Sequence, residues 1–311
     1  MCVEFKSNLS DRKQKVFYNG TLSENTCDIT IGAPQGSILA PLLYLIYVND
    51  LYLCLNRSET ILFADSTNLL IRAKCMNSLF MIANQELAYI DEWMISNRLT
   101  VNAGKSNYVI FHYNYSNTEL SNLDVKLGTT KIDQVKSTKF LGIKIDEKLN
   151  WNPHMEYILS KTRRNLGVVR KISPFITKEA QYQLYFSLII SHLRYGIIVW
   201  HQGSLTMRKK LQACSNNFVR LMNSLPGRQS VRQIMKDANL LSNNQIYHSE
   251  IAKLYHKLEN GTIPECFSQL FENQTRASTI RTRSSPTFFQ PFRRIRLTQQ
   301  AFNYQGPKIW N

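Results

Sequence analysis

The stretch that decides the fold is Thr60-Ile61-Leu62-Phe63-Ala64-Asp65-Ser66-Thr67-Asn68-Leu69-Leu70-Ile71. Two short apolar runs, 60–63 and 68–71, are separated by the small polar segment 64–67. Apolar runs of this length around a polar break are typical of a β-hairpin. We therefore expect a hairpin that carries one carboxylate, Asp65, at its tip. From the local sequence alone, this carboxylate is either a turn residue with local hydrogen bonds or a metal ligand on a rigid support.

The segments around the hairpin predict a mixed first part of the chain. Apolar residues fall on one helical face between Ser78 and Leu99, and Ser78 is the expected N-cap. Short apolar runs predict strands at Tyr108–Phe111 and Phe140–Ile145. Strands and helices are thus interspersed up to about residue 150, which is typical of an α+β fold.

Beyond residue 150 the pattern is mainly helical. Asn152-Pro153 predicts the start of a helix, because proline at the first helical position has no N–H to leave unpaired. Further helical patterns run at 178–200, 207–222 and 245–258. The sequence therefore predicts an α+β first part followed by helices.

Composition restricts the class of protein. The 311 residues include 38 Lys and Arg against 22 Asp and Glu, which gives a net charge of +16. With 43% hydrophobic residues the chain is expected to fold. The charge favours a polyanionic partner, either nucleic acid or an acidic membrane surface, although charge alone does not exclude a solvated basic surface without a partner.

Apolar segments and cysteines give the expected compartment. The longest apolar run, Ile38–Val48, is too short to span a bilayer and contains Pro41. The first residues lack the apolar core of a signal peptide, and the six cysteines include no C-x-x-C pair. We expect an intracellular protein without a transmembrane segment. The sequence does not separate cytoplasm from nucleus.

The last stretch, 273–311, carries seven basic residues and no acidic ones, with aromatic residues between them. Guanidinium groups bind phosphates and aromatic rings stack on bases, so this composition suits single-stranded nucleic acid. A basic tail whose aromatic residues pack on the helices is the equally weighted alternative.

Residues 32–43, Gly-Ala-Pro-Gln-Gly-Ser-Ile-Leu-Ala-Pro-Leu-Leu, form the most specific string in the chain. Glycine allows a ligand to approach the backbone closely, and the amides at a helix N-terminus favour phosphate. On spacing alone this string predicts only a loop that leads into a helix.

Four strings in the same order resemble the reverse transcriptases of non-LTR retrotransposons, those of jockey-type elements most closely. Gly32–Leu51 is similar to the family's Gly-x-Pro-Gln-Gly-Ser loop, Leu-rich helix and Ile-Tyr-x-Asn-Asp-Leu ending. Phe63–Thr67 resembles its Tyr/Phe-Ala-Asp-Asp-Thr catalytic hairpin, and Leu99–Ser106 its Leu-x-x-Asn-x-x-Lys-Ser/Thr turn. Phe140–Asp146, with Leu149, Trp151 and His154 after it, resembles the hairpin that leads into the thumb. Tyr195-Gly196 with Trp200, and the closing residues 306–311, resemble the region after the polymerase.

The resemblance implies an RNA-directed DNA polymerase with palm, fingers and thumb. Such an enzyme extends a DNA primer on an RNA template from dNTPs, using two Mg²⁺ ions held by hard oxygen ligands. Asp65 matches the first Asp of the family's catalytic pair and is the implied metal ligand. Ser66 stands at the second position, where a neutral hydroxyl is a poor Mg²⁺ ligand and removes one negative charge. We therefore expect impaired chemistry and no productive Mg²⁺ binding.

The resemblance also assigns binding residues. The template and the incoming nucleotide would contact Pro34, Gln35, Gly36, Ser37, Phe63 and Ala64. Lys105 would neutralise or protonate pyrophosphate, although a solvated Lys after a helix end is the commoner situation. The nucleic-acid backbone would run along the basic helical residues Lys161, Arg163, Arg164, Arg170 and Lys171. A charge run of this kind is usually only a solvated helix face.

The implied organisation is a partial fingers and palm at 1–150, thumb-like helices at 151–200 and a helical basic region at 201–311. The family's early palm Asp has no candidate before Gly32, because Asp28 matches the approach to the loop. We therefore expect a truncated copy, by family a nucleotidyltransferase. Its alternatives are a non-catalytic RNA- or DNA-binding module and a transposon relic without function. Protein partners are not predicted.

Overall fold

The computed structural model describes residues 10–30, 32–34, 36–111, 124–264 and 302–310. The chain forms two compact units. Unit 1 lies within Met1–Tyr108 and Ser116–Asp133, and unit 2 lies within Val109–Tyr115 and Gln134–Asn311. In the described residues unit 1 mixes helices with short strands, and unit 2 is helical apart from its first strands. The expected α+β class is confirmed.

The strands of unit 1 form antiparallel pairs. They are β1 (Arg12–Gln14) with β4 (Cys27–Ile29), β2 (Phe17–Tyr18) with β3 (Thr21–Leu22), β5 (Ser58–Phe63) with β6 (Ser66–Ile71), and β8 (Lys126–Leu127) with β9 (Thr130–Lys131). Three of these four pairs join strands that follow each other along the chain, and β1 pairs with β4 around the β2–β3 hairpin. Two further strands are β7 (Asn107–Tyr108) and β10 (Asp133–Gln134). The strand expected at Tyr108–Phe111 is therefore shorter and begins one residue earlier.

Unit 1 contains two described α-helices. They are α1 (Leu39–Tyr47) and α2 (Met76–Ser96), and 3-10 turns lie at Leu51–Cys54 and Ala103–Lys105. The expected N-cap at Ser78 is wrong, because the residue with extended backbone before α2 is Cys75. Ser78 instead lies in the first turn, where its hydroxyl is 3.0 Å from the Cys75 sulfur.

A hairpin opens the main part of unit 2. Strands β11 (Ser137–Phe140) and β12 (Ile143–Asp146) pair antiparallel around Leu141-Gly142. Both turn residues have positive φ, 44° and 85°, which reverses the chain. The single strand expected over Phe140–Ile145 is therefore two strands, in agreement with the hairpin that the family resemblance implies.

The helices of unit 2 include those that the pattern predicts, but the helix expected at 178–200 is interrupted. They are α3 (Asn152–Ile172), α4 (Lys178–Tyr185), α5 (Ser191–Arg194), α6 (Ile197–Trp200), α7 (Leu205–Met222), α8 (Arg232–Asp237), α9 (Asn243–Glu259) and α10 (Phe302–Trp310). The continuous helix expected at 178–200 contains a π-helical turn, Phe186–Ile190, and ends at Tyr195-Gly196. Gly196 reverses the chain there with φ 59°.

The core of unit 2 lies between its long helices. Met155 and Val169 of α3, Phe218 of α7 and Ile251 of α9 are completely buried. Burial of such side chains stabilises a fold by about 1.5–3 kcal/mol each relative to exposure. None of the described helices is long and apolar enough to cross a membrane.

Candidate functional site

The predicted hairpin is present, with a tighter turn than the sequence indicates. Phe63 pairs directly with Ser66, so the loop contains only Ala64 and Asp65. Ala64 has φ 49°, which allows the chain to reverse over two residues. Phe63, Ala64, Asp65 and Ser66 are all exposed. The Asp65 carboxylate therefore stands at the tip, and the Ser66 hydroxyl belongs to the first residue of β6.

A buried carboxylate of α2 holds the start of this hairpin. Glu86 is only 1% exposed. It accepts hydrogen bonds from the backbone N–H groups of Asn56 and Arg57, each at 3.2 Å, and from the Ser58 hydroxyl at 2.6 Å. A buried carboxylate needs such donors, because burial without them is costly. Glu86 thus fixes strand β5 on helix α2, a role that the sequence analysis did not assign.

The glycine- and proline-containing loop leads directly into α1. The Ser37 hydroxyl accepts a hydrogen bond from the Leu39 N–H at 3.2 Å, which satisfies one free amide at the helix start. Pro34 is half-buried, and Gly36 has φ 84° with open space where a side chain would lie. Gln35 lies outside the described residues. Its predicted contact with template or nucleotide stays a prediction, as do those of its neighbours.

Electrostatics connects α1 to the hairpin tip. Burial raises the pKa of the Tyr44 hydroxyl, and the nearby negative charge of Asp65 raises it further. The tip carboxylate thus acts electrostatically on a residue of the helix that follows the loop.

Lys105 lies at the end of a separate turn of unit 1. The Asn102 side chain accepts a hydrogen bond from the Lys105 N–H at 3.1 Å, which closes the 3-10 turn. The Lys105 side chain is exposed. Within the described part of the chain, no ion pair joins it to Asp65. Its role toward pyrophosphate stays a prediction.

The hairpin tip, as far as the structure describes it, does not fit a pair of Mg²⁺ ions. Two-metal sites need several oxygen ligands that converge on ions about 3.5–4 Å apart. The tip supplies one carboxylate, Asp65, and one neutral hydroxyl, Ser66. Among residues 10–30, 32–34, 36–111, 124–264 and 302–310, no group of three His, Cys, Asp or Glu side chains could hold a metal.

In unit 2 the end of the second hairpin holds the turn that leads into α3. Asp146 is 5% exposed and accepts hydrogen bonds from the N–H groups of Asn150 at 3.2 Å and Trp151 at 2.9 Å. Trp151 has φ 64°, so the chain turns sharply before the helix. Asp146 therefore stabilises this turn. The sequence interpretation had recognised the surrounding motif without assigning Asp146 a function.

His154 connects β12 to α3. It is 2% exposed, and its Nδ1 accepts a hydrogen bond from the Lys144 N–H at 3.2 Å. Burial and the positive charge of Lys144 lower the His154 pKa to about 4, so the ring is neutral near pH 7. Its edge packs on Trp200, with ring centroids 5.6 Å apart.

The string Tyr195-Gly196 lies against the turn of the second hairpin. The Tyr195 hydroxyl donates a hydrogen bond to the Leu141 carbonyl at 2.5 Å. A Cβ on Gly196 would lie 2.5 Å from Cδ1 of Ile143. Two strings that are far apart in sequence therefore pack together, and the positive φ of Gly196, 59°, with the nearby Ile143 side chain favours glycine where they meet.

The predicted backbone-binding residues all lie on α3. Arg163, Arg164, Arg170 and Lys171 are exposed, whereas Lys161 is half-buried beside Tyr157. Their assignment to the nucleic-acid backbone stays a prediction. Residues 265–301, which carry most of the basic aromatic tail, lie outside the described part, so that prediction is not tested.

Comparison with known proteins gives the same family as the motifs. Residues 5–145 match the family model "Reverse transcriptase (RNA-dependent DNA polymerase)". The chain is 28% identical over 192 residues to the Pol polyprotein of the type-1 retrotransposable element R1 from Bradysia coprophila, covering 60% of this chain and 19% of that protein. It is 24% identical over 225 residues to the probable RNA-directed DNA polymerase of the Drosophila melanogaster transposon X-element, covering 70% and 24%.

A third relative is the RNA-directed DNA polymerase of the mobile element jockey from Drosophila melanogaster. It is 24% identical over 265 residues, covering 82% of this chain and 27% of the relative. The chain thus spans about a fifth to a quarter of the length of these relatives. No solved structure matches it. On motifs, hairpin geometry and relatives together, residues 5–145 match a reverse transcriptase domain, and the chain is similar to the RNA-directed DNA polymerases of non-LTR retrotransposons.

Proposed function

We propose that this chain binds RNA template and DNA primer, and that its own polymerase chemistry is impaired at the hairpin tip. The observation that carries the proposal is the exposed tip with Asp65 beside Ser66. The relatives are named as RNA-directed DNA polymerases, whose reaction requires both nucleic acids and dNTPs. We therefore propose that the chain retains the family's binding of nucleic acid, while its polymerase chemistry is impaired.

The charge distribution supports the binding half of the proposal. Helix α3 presents four exposed basic residues in its second half, and Lys161 adds a fifth charge near its middle. These side chains make no ion pair within the described residues, so they are available to phosphates. We propose that α3 belongs to a thumb that follows the nucleic-acid backbone.

The tip supports the impairment half. Transition-state charge in phosphoryl transfer is stabilised by metal ions and fixed dipoles, and this electrostatic contribution is usually the largest in catalysis. Replacing a carboxylate by the Ser66 hydroxyl removes one negative charge and one strong oxygen ligand. Pro34, Gly36, Ser37, Phe63 and Ala64 are proposed to contact template and nucleotide without completing the reaction.

The binding half is tested with a fluorescent RNA–DNA primer–template and the full chain across a salt series. Each phosphate neutralised contributes a slope of about 0.7–0.9 in log affinity against log salt. Replacement of Arg163, Arg164, Arg170 and Lys171 by Gln should lower affinity and reduce that slope. Unchanged affinity and slope would contradict the placement of nucleic acid on α3.

The impairment half is tested by metal binding at the tip. Mn²⁺ should broaden the amide NMR signals of residues 63–67 weakly in the unmodified chain and more strongly in Ser66→Asp, because a second carboxylate joins Asp65. Ser66→Asn, which is polar but uncharged, is the matched control and should behave like the unmodified chain. Equal broadening in Ser66→Asp and Ser66→Asn would contradict the argument from charge.

A further inference from the structure

Helix α1 presents an apolar stripe to solvent. Its nine residues, Leu39–Tyr47, include no acidic or basic side chain, and none of them is buried. A helix that is hydrophobic all round is normally buried in a protein. The stripe begins one residue before α1 and has the spacing i, i+4, i+7 and i+8 of a single helical face. Its members are each more than half exposed: Ile38, Leu42, Leu45 and Ile46. Within the described part of unit 1, this face of α1 is therefore uncovered.

The stripe and Tyr44 lie on different sides of α1. At 3.6 residues per turn, the middle of the stripe is about 150° around the helix from Tyr44. Tyr44 is half-buried, and its hydroxyl is the group on which the Asp65 charge acts. A partner bound to the stripe therefore leaves the Tyr44 side of α1 unchanged.

A second apolar surface of unit 1 is the hairpin of β2 and β3. All four residues of these two strands are exposed, and the loop between them contains only Asn19 and Gly20, with φ 48° and 79°. Phe17 pairs with Leu22, and Tyr18 pairs with Thr21, so the two aromatic rings lie on opposite faces of the hairpin. We call residues 16–22 the arm. Its large side chains are each more than half exposed: Val16, Phe17, Tyr18 and Leu22.

Both surfaces lack charge, although the chain carries a net charge of +16. Residues 16–23 contain no Lys, Arg, Asp or Glu, and neither do residues 29–49. Two copies of a strongly basic chain repel each other. The arm and the stripe are surfaces at which two copies can meet without bringing like charges together.

The exposed apolar area is large enough for a stable interface. The four large side chains of the arm and the four of the stripe together expose roughly 800 Å² per copy, at about 100 Å² each. A standard protein interface buries about 800 Å² on each partner. The largest apolar patch of a typical monomer is only about 300–600 Å².

We propose that two copies of this chain form a symmetric dimer, in which the arm of each copy packs on the α1 stripe of the other copy. The stripe is about 12 Å long from residue 38 to residue 46, and three extended residues of the arm cover about 10 Å, so their lengths match. Each copy supplies one arm and one stripe, and two reciprocal contacts close the pair around a two-fold axis. This inference goes beyond the proposed function and does not depend on nucleic-acid binding.

Sedimentation velocity on the full chain, after nuclease treatment, tests for the dimer. Interfaces of this size have micromolar to picomolar dissociation constants, so a series up to about 100 µM protein is sufficient. We expect a monomer–dimer equilibrium whose dissociation constant falls as salt rises, because salt screens the repulsion between two basic chains. Dimers bridged by nucleic acid would weaken with salt instead, since salt weakens phosphate contacts.

Charged substitutions test the two surfaces separately. Phe17→Asp on the arm and Leu45→Asp on the stripe each occur twice in a symmetric dimer. Loss of one central apolar anchor weakens binding about 30-fold, so two losses predict a dissociation constant roughly 1000-fold higher. Phe175→Asp, at an aromatic residue of unit 2 that is 86% exposed, is the control and should leave the dimer unchanged.

A mixture of the two variants tests which surfaces meet. Phe17→Asp keeps an intact stripe and Leu45→Asp keeps an intact arm, so a mixed pair retains one complete contact between arm and stripe. An equimolar mixture should therefore dimerise more strongly than either variant alone. This recovery requires both variants to be folded. If either variant does not fold, Phe17→Ser and Leu45→Ser take their place in the same experiment.

Three results would overturn the proposal. A chain that stays monomeric up to about 100 µM has no such dimer, and the stripe then belongs to a different partner. A dimer that is insensitive to Phe17→Asp, or a mixture no stronger than the separate variants, contradicts the contact between arm and stripe. Open-ended oligomers contradict the two-fold arrangement, because a closed pair leaves no free arm. Binding of a primer–template is measured separately, so failure of the dimer leaves the proposed function standing.

Discussion

Replacing Glu86 by Ala should loosen the β5–β6 hairpin without unfolding unit 2. Glu86 is 1% exposed and accepts three hydrogen bonds, from the N–H groups of Asn56 and Arg57 and from the Ser58 hydroxyl. The three donors lie just before β5 or on its first residue. Loss of these three hydrogen bonds should therefore destabilise the ladder between β5 and β6 first.

The expected loss of stability follows from the three hydrogen-bond donors that Glu86→Ala leaves without an acceptor. A hydrogen bond to a charged group contributes about 1.5–3 kcal/mol, and contributions within one network do not add fully. Asn56 and Arg57 are exposed, so water can replace part of what their N–H groups lose. We expect a cost of about 3 kcal/mol for Glu86→Ala. Glu86→Gln keeps the volume and one acceptor oxygen, and should cost about half as much.

The assay is native-state hydrogen exchange of peptides that cover β5 and β6, read by mass spectrometry. A loss of about 3 kcal/mol corresponds to roughly a 100-fold faster exchange of the paired amides, since every 1.4 kcal/mol is tenfold. Peptides from α7 and α9 of unit 2 should be unaffected. Glu92→Ala on the exposed side of the same helix is the control, with an expected change below about 0.5 kcal/mol.

The reasoning would be refuted if Glu86→Ala changed hairpin exchange no more than Glu92→Ala does. It would also be refuted if β5, β6 and unit 2 accelerated together, because the effect would then not be local to the hairpin.

Other predictions concern unit 2. In a urea titration, Gly196→Ala should lower the free energy of unfolding by about 2 kcal/mol, because φ is 59° and the new Cβ would meet Ile143 Cδ1. Gly167→Ala, in open space on α3, should raise the free energy of unfolding by about 0.5–1 kcal/mol in the same titration. Ser242→Ala removes the capping box of α9 and should cost about 1 kcal/mol by the same measurement. Folding lowers the pKa of His154 from 6.5 to about 4, so the unfolded chain binds more protons between these two pH values. The contribution of His154 to stability should therefore be complete above about pH 6.5 and decrease as the pH falls toward 4. His154→Phe should flatten this decrease, which urea midpoints measured against pH would show.

The parts of the site that could be predicted from the sequence are those determined by residues close together in the chain. The hairpin around Asp65 follows from two apolar runs and a polar break, and the start of α3 follows from Asn152-Pro153. The break at Tyr195-Gly196 was not predicted, because the apolar spacing continues across it. The π-helical turn was missed for the same reason.

The missed features depend on partners that are distant in sequence. Glu86 lies within an amphipathic pattern, where a carboxylate is expected to face solvent, and its donors are about thirty residues away. The pairing of Lys139 with Lys144 requires the register of β11 and β12, which the turn at Leu141-Gly142 sets. Sequence patterns locate such elements, but packing decides which side chains meet.

Primer extension tests the central claim most directly. The full chain, shown in the same preparation to bind an RNA–DNA primer–template, is supplied with dNTPs and Mg²⁺ or Mn²⁺, beside Ser66→Asp. We predict binding without extension from the unmodified chain, and none from Ser66→Asp, because the described tip then still supplies only two adjacent carboxylates. Robust nucleotide incorporation by the unmodified chain would contradict the account.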